Sequence, residues 1–274
     1  MRMRRAITAG VTTVLALGVV SVGLLWAFQR SIIYQPDTSA PPTAGEVIPG
    51  ARDVTLSTDD GLELTAWLVP PTSGTDRQQA VLYAQGNGGN RVGRADIAQL
   101  LSDRGFTVLL LDYRGYGGNP GDPSEEGTAL DARAAVDALR AEGFELDRII
   151  YFGESIGTGV VAQLQTTMTP AGVVLRSPFT ELADVASAHF PFLPVKWLLR
   201  DKYPVVQNLA KTDVPVSVIY GDHDTIVSTA LSEKVAATTP NLFEELVVRG
   251  DHNDPVMAGP EVADAVVRLA DSLT

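Results

Sequence analysis

The stretch RIIYFGESIGTGVV, Arg148 to Val161, runs from a β-rich apolar segment straight into small residues. Within it, Gly153-Glu154-Ser155-Ile156-Gly157 fits G-x-S-x-G, a motif that requires a strand before it and a helix after it. Both are legible here: RIIYFG is a short apolar run, and the residues through about Thr167 have helical character. A turn this tight forces the serine backbone into strain. Side chains at 153 and 157 would collide with neighbouring backbone, so glycine is needed at both. The strain lifts the Ser155 hydroxyl clear of the sheet and sets the following N–H groups at a helix N-terminus, where a developing anion is favoured.

The flanking sequence repeats the strand–helix alternation. QAVLYAQG and FTVLLLDYRG precede the turn, and AGVVLRSPF, VPVSVIYGD and LFEELVVRGD follow it, with amphipathic helical segments between most of them. Runs such as VLLLD show no polar alternation, as expected of strands covered on both faces. DVTLSTDDGLELTAWLVP alternates instead and reads as a hairpin around Asp60-Gly61. The expected fold class is α/β, a mostly parallel sheet with helices on both faces. Ligands on such sheets sit at the carboxyl ends of the strands.

A serine hydroxyl is a poor nucleophile until a base takes its proton. The chain has three histidines, His189, His223 and His252. The chain order for this kind of turn is serine, acid, histidine, with the histidine after the last strand, and only His252 fits. His189 lies in an irregular insert, and His223 falls one strand too early. Asp222 and Asp224 both follow VPVSVIYG. Asp224 is the chosen acid because it falls in the loop, where it can turn toward His252. Asp222, closer to the strand, is expected to satisfy backbone N–H groups. The oxyanion needs two N–H donors. Ile156 follows the nucleophile, and Asn87, in the glycine-rich loop Gln85 to Asn90, is the second candidate.

The chain has no cysteine among its 274 residues, which excludes disulfides and a thiolate nucleophile. The net charge is −12. With the four arginines of residues 1–30 set aside, 17 basic residues face all 33 acids, so no nucleic-acid partner is expected. Residues 1–5 are basic, and Ala6 to Phe28 contain no charge, enough as a helix to span about 34 Å. We read 6–28 as a retained membrane anchor with a cytoplasmic N-terminus and an extracytoplasmic domain at 51–274. A cleaved signal peptide is the alternative, with Thr38-Ser39-Ala40 as the nearest small-x-small site. Residues 29–50, rich in Pro and Gly from 35 on, read as a linker.

SIIYQPD, QGNGGN, LDYRGYGGNPGDPSEEG, GESIGTGVV, RSPFTELADVA, YGDHDTIV and GDHND, taken in order, resemble the α/β-hydrolase superfamily, and within it the Bem46-like (ABHD-type) serine hydrolases. The resemblance covers roughly Ser31 to the C-terminus. It implies the α/β-hydrolase fold with a short lid at 179–213, a nucleophile at Ser155, an acid at Asp224 within Gly-x-x-Asp-x-x-Val, and a base at His252. It also implies a membrane-anchored monomer that hydrolyses small or lipid-like esters or thioesters, without metal or cofactor. Two positions depart from the family pattern: Gln85-Gly86 replaces His-Gly, and Asn119 replaces Ser. Open alternatives are a peptidase or amidase, a non-catalytic binding protein of the same fold, and a metal-dependent hydrolase built on GDHD and GDHND.

Overall fold

Val, Ile and Leu runs of five to seven residues are too short for stable helices and too apolar for loops, so they pair. In the computed structural model, which describes residues 2–72, 74 and 76–273, these runs and the more polar segments flanking them form one eight-stranded sheet. The strands are β1 (Arg52–Ser57), β2 (Glu63–Val69), β3 (Ala80–Ala84), β4 (Thr107–Leu111), β5 (Ile149–Glu154), β6 (Gly172–Arg176), β7 (Val216–Gly221) and β8 (Leu242–Val248). Their spatial order is β1-β2-β4-β3-β5-β6-β7-β8. β1 and β2 form the expected antiparallel hairpin, and β2 meets β4 antiparallel. All other pairs are parallel. The hairpin turns at Gly61, whose φ of +87° needs a residue without Cβ.

Every residue of β3 to β7 is buried, which explains their lack of polar alternation. One face packs against α3 (Glu125–Ala141), α4 (Ile156–Leu164) and α7 (Thr229–Thr238), through residues such as Val136, Val161 and Val235. The other carries α2 (Ala95–Asp103) and α8 (Pro260–Ser272), through Leu101, Val266 and Leu269. The insert between β6 and β7 holds α5 (Leu182–His189), a single turn at Val195–Leu198 and α6 (Val205–Leu209).

Helix α1 runs from Arg2 to Ile33, five residues beyond the expected anchor boundary at Phe28. Its stretch Leu15–Ile33 is long and apolar enough to cross a membrane, with mean hydropathy 1.6. The side chains of residues 2–7, 9, 11 and 14 lie outside the described residues, and with them the basic N-terminal stretch and part of the expected span.

Residues 29–50 differ from the linker reading, because they lie against the domain. Tyr34, Ala44 and Ile48 are buried. Gln35–Pro36 pairs in parallel with Gly88–Gly89, in the loop after β3. Proline and glycine here serve a path that follows the domain surface closely. The few apolar residues that hold it lack the periodicity by which a core face is recognised.

Candidate active site

The end of β5 turns into α4 within a single residue. Ser155 is that residue, with φ 52° and ψ −116°, a region open almost only to glycine. A Cβ at 153 would sit 2.6 Å from the Gly157 carbonyl oxygen and 2.7 Å from Thr158 Cα. One at 157 would run into the Ala84 carbonyl oxygen at the end of β3. Both glycines are therefore set by backbone approach. The third, Gly159, makes room for the Tyr203 ring from the insert, which a Cβ would approach to 2.5 Å.

Ser155 opens into a cavity of about 420 Å³, within the ~300–1,000 Å³ usual for ligand pockets. Asn87 and Ile156 line the same cavity. Neither backbone N–H has a hydrogen-bond partner among the described residues. For Ile156 that is ordinary at a helix start. For Asn87, in a loop, it is informative. Its side chain donates to Ile33 O (2.9 Å), and its carbonyl accepts from Gln35 N–H and the Tyr116 hydroxyl. The loop is thus pinned on every side except the amide.

At the C-terminal ends of β7 and β8, Asp224 and His252 come together. His252 Nδ1 lies 2.7 Å from Asp224 Oδ2, and both are buried. The other carboxylate oxygen, Oδ1, accepts the Ile226 and Val227 N–H groups at 2.9 and 2.8 Å. Burial pushes the Asp224 carboxyl up, but His252 and these two amides bring it below its usual value. Asp222 accepts from Gly250 N–H and pairs with the exposed His223. Val227, beside Asp224, reaches the wall of the Ser155 cavity. No hydrogen bond joins Ser155 to His252 among the described residues. His189, set aside in the sequence as part of the insert, lines the cavity and lies 3.4 Å from Ile226 O.

The two departures from the family pattern both bond to Asp112, although Gln85 Oε1 is buried with no partner among the described residues. Gln85 Nε2 donates to the fully buried Asp112 (2.5 Å), which also pairs with Arg91. Asn119 ties Asp112 O to the Thr65 backbone. Gln85 thus ties the loop after β3 to the end of β4, and Asn119 ties the end of β4 to β2.

One cluster was not legible in the sequence. Glu154, the residue before Ser155, is buried and accepts from Arg94 (2.8 Å) and Tyr83 (2.8 Å), with Arg176 at 3.4 Å. Arg94 also donates to Gly88 O in the Asn87 loop, and Arg176 donates to His252 O at 2.6 Å. Glu154 thus ties together the loops bearing Asn87, Ser155 and His252. Only a spatial map could reveal this, because Arg94, Glu154 and Arg176 lie 60 and 22 residues apart along the chain.

Burial pushes the Glu154 carboxyl up, yet Arg94 and Arg176 bring it down to about 2. A folded-state value below the unfolded one stabilises the fold above about pH 4.3, and this stabilisation is lost as pH falls toward 2. Glu154→Gln should cost about 3 kcal/mol at pH 7 and flatten the loss of stability between pH 4.5 and 2. Urea unfolding at pH 7, 4 and 3 measures both.

Comparison with known proteins agrees with this fold. Residues 79–186 match the family model described as alpha/beta hydrolase fold. An uncharacterised protein of Mycobacterium tuberculosis is 44% identical over 272 residues, covering 98% of this chain and 95% of the relative. The alpha/beta hydrolase domain-containing protein WAV2 of Arabidopsis thaliana is 30% identical, with 89% and 87% covered. Protein bem46 of Schizosaccharomyces pombe is 26% identical, with 78% and 75% covered. Among solved structures, the Pyrococcus furiosus esterase Pf2001 superposes with a TM-score of 0.71 at 20% identity, over 88% of this chain and 97% of the esterase. At that identity the likeness is one of fold.

Proposed function

The chain belongs to the α/β-hydrolase family, in its Bem46-like branch, and on that premise we propose that it is a membrane-anchored serine hydrolase of carboxylic esters or thioesters. The observation that carries this reading is the strained Ser155, which lines a ligand-sized cavity with Asn87 and Ile156, whose backbone N–H groups have no partner among the described residues. The family and the esterase-like fold support hydrolysis in general; the roles below are our assignment.

Ser155 Oγ attacks the acyl carbon while His252 Nε2 takes its proton. Asp224 holds His252 with Nδ1–H directed at the carboxylate and stabilises the imidazolium that forms. The carbonyl electrons move onto oxygen, where the Asn87 and Ile156 N–H groups receive them. Collapse expels the alcohol or thiol, which takes the proton from His252, and leaves an acyl-Ser155 ester. Water, deprotonated by His252, attacks that ester. The acid leaves, and the proton returns to Ser155.

The apolar α1 supports the anchor, and the excess of Arg2, Arg4 and Arg5 over Arg30 supports a cytoplasmic N-terminus. A fluorophosphonate probe tests the chemistry. Covalent labelling mapped to Ser155, together with turnover of p-nitrophenyl butyrate by the full-length protein, is expected. Folded protein that neither labels nor turns over ester would instead be a binding protein of this fold.

A further inference from the structure

Resting on the hydrolase reading, we infer that the substrate is a long-chain acyl ester of a bilayer lipid, and that α1 forms one wall of its acyl site. The cavity at Ser155 is walled in part by Val22, Leu25, Trp26, Gln29, Ile32 and Ile33 of α1. These positions recur at three and four residues and so form one helix face. The opposite face is also apolar: Leu17, Val20, Leu24 and Phe28 are all exposed. A helix apolar all round belongs in a protein core or a membrane, and the protein buries little of this one. One face of α1 therefore lines the acyl site, and the other suits lipid.

Length places the cavity at the membrane boundary. The 32 residues of α1 extend about 48 Å, while a hydrocarbon core takes up ~30 Å, or about 20 residues. With the basic stretch 2–5 on the cytoplasmic side, about 20 residues from Ala6 cross that core, so the last eight, Trp26 to Ile33, emerge at the interface, where lipid ester bonds lie, with Val22 and Leu25 just inside it. Beside them the insert exposes Phe192 (97%) and Trp197 (91%), aromatic side chains suited to that level. The wall is held firmly in position. Arg30 pairs with Asp201 through two bonds of 3.0 Å, Gln29 bonds the Leu198 carbonyl and the Arg200 N–H, and the Arg200 guanidinium lies 3.9 Å over the Trp26 ring. Apart from Ser155 and the amides near it, the cavity is mostly apolar, as an acyl chain requires.

Full-length protein in phosphatidylcholine vesicles tests this with p-nitrophenyl butyrate and p-nitrophenyl palmitate. Val22→Trp fills the α1 wall and should lower the palmitate-to-butyrate ratio of kcat/KM at least tenfold. Leu25→Ala enlarges the cavity and should raise that ratio, so the test survives if the tryptophan variant fails to fold. Ratios that stay within twofold in both variants would make α1 a tether only and overturn the assignment. Phe192→Ser with Trp197→Ser should slow palmitate hydrolysis in vesicles several-fold more than in detergent micelles. Equal slowing would overturn the bilayer as the source. If wild type cleaves butyrate but not palmitate, the lipid assignment falls and the hydrolase reading stands. If it cleaves neither and Ser155 stays unlabelled, both fall.

Discussion

Ser155→Gly is expected to abolish ester hydrolysis and to stabilise the protein at the same time. Without the hydroxyl no acyl-enzyme forms, and the loss should be about 10⁴-fold or more in kcat/KM. The stability gain follows from the backbone. Ser155 is held at φ 52° and ψ −116°, at a cost of about 1–3 kcal/mol for a residue with a Cβ. Glycine removes that strain and adds back about 0.5–1 kcal/mol of unfolded-state entropy. The hydroxyl makes no hydrogen bond among the described residues, so its removal breaks none. The net gain should be about 1 kcal/mol, or ~2–4 °C in Tm for a domain of this size. Thermal unfolding beside ester kinetics reads both effects. A variant that lost activity and stability together would show that the turn is not strained in the folded protein.

Asp224→Asn should lower kcat/KM near neutral pH by about 10⁴-fold while changing stability little. Oδ1 of Asp224 already accepts two backbone N–H groups, from Ile226 and Val227. An asparagine would leave its carbonyl oxygen in that slot, because an amide NH₂ there would face two donors. Its NH₂ would then point at His252 Nδ1, where Oδ2 now lies at 2.7 Å. His252 would have to accept at Nδ1 and carry its proton on Nε2, the nitrogen needed as base. Ester kinetics with fluorophosphonate labelling of Ser155 checks this, and both rates should fall together. Asp222→Asn, on the exposed side, should leave turnover within a few-fold of wild type.

The alternation of apolar runs and helical segments was enough to read a mostly parallel sheet, because burial on both faces removes polar residues from every inner strand. The elbow was equally legible, since a serine between two glycines at a strand end has few other backbone explanations. Choosing Asp224 over Asp222 rests on loop position and on the Gly-x-x-Asp-x-x-Val resemblance, neither of which shows a contact. The structure adds the pairing itself, with Asp224 turned to His252 and Asp222 to Gly250. The stretch at 29–50 misled because its holding contacts are sparse and aperiodic: Tyr34, Ala44 and Ile48 reach the core from a chain that otherwise looks like a spacer.

From its residues alone the chain determined the sheet, the cramped serine turn and the apolar N-terminal helix, because each is a local pattern of side-chain size, glycine placement or hydropathy. Only the tertiary structure could bring the last turns of α1 to the wall of the Ser155 cavity and gather Arg94, Glu154 and Arg176 into one buried cluster. Those contacts join positions scores of residues apart. They depend on how the loops at the strand ends converge, and no spacing along the chain encodes that convergence.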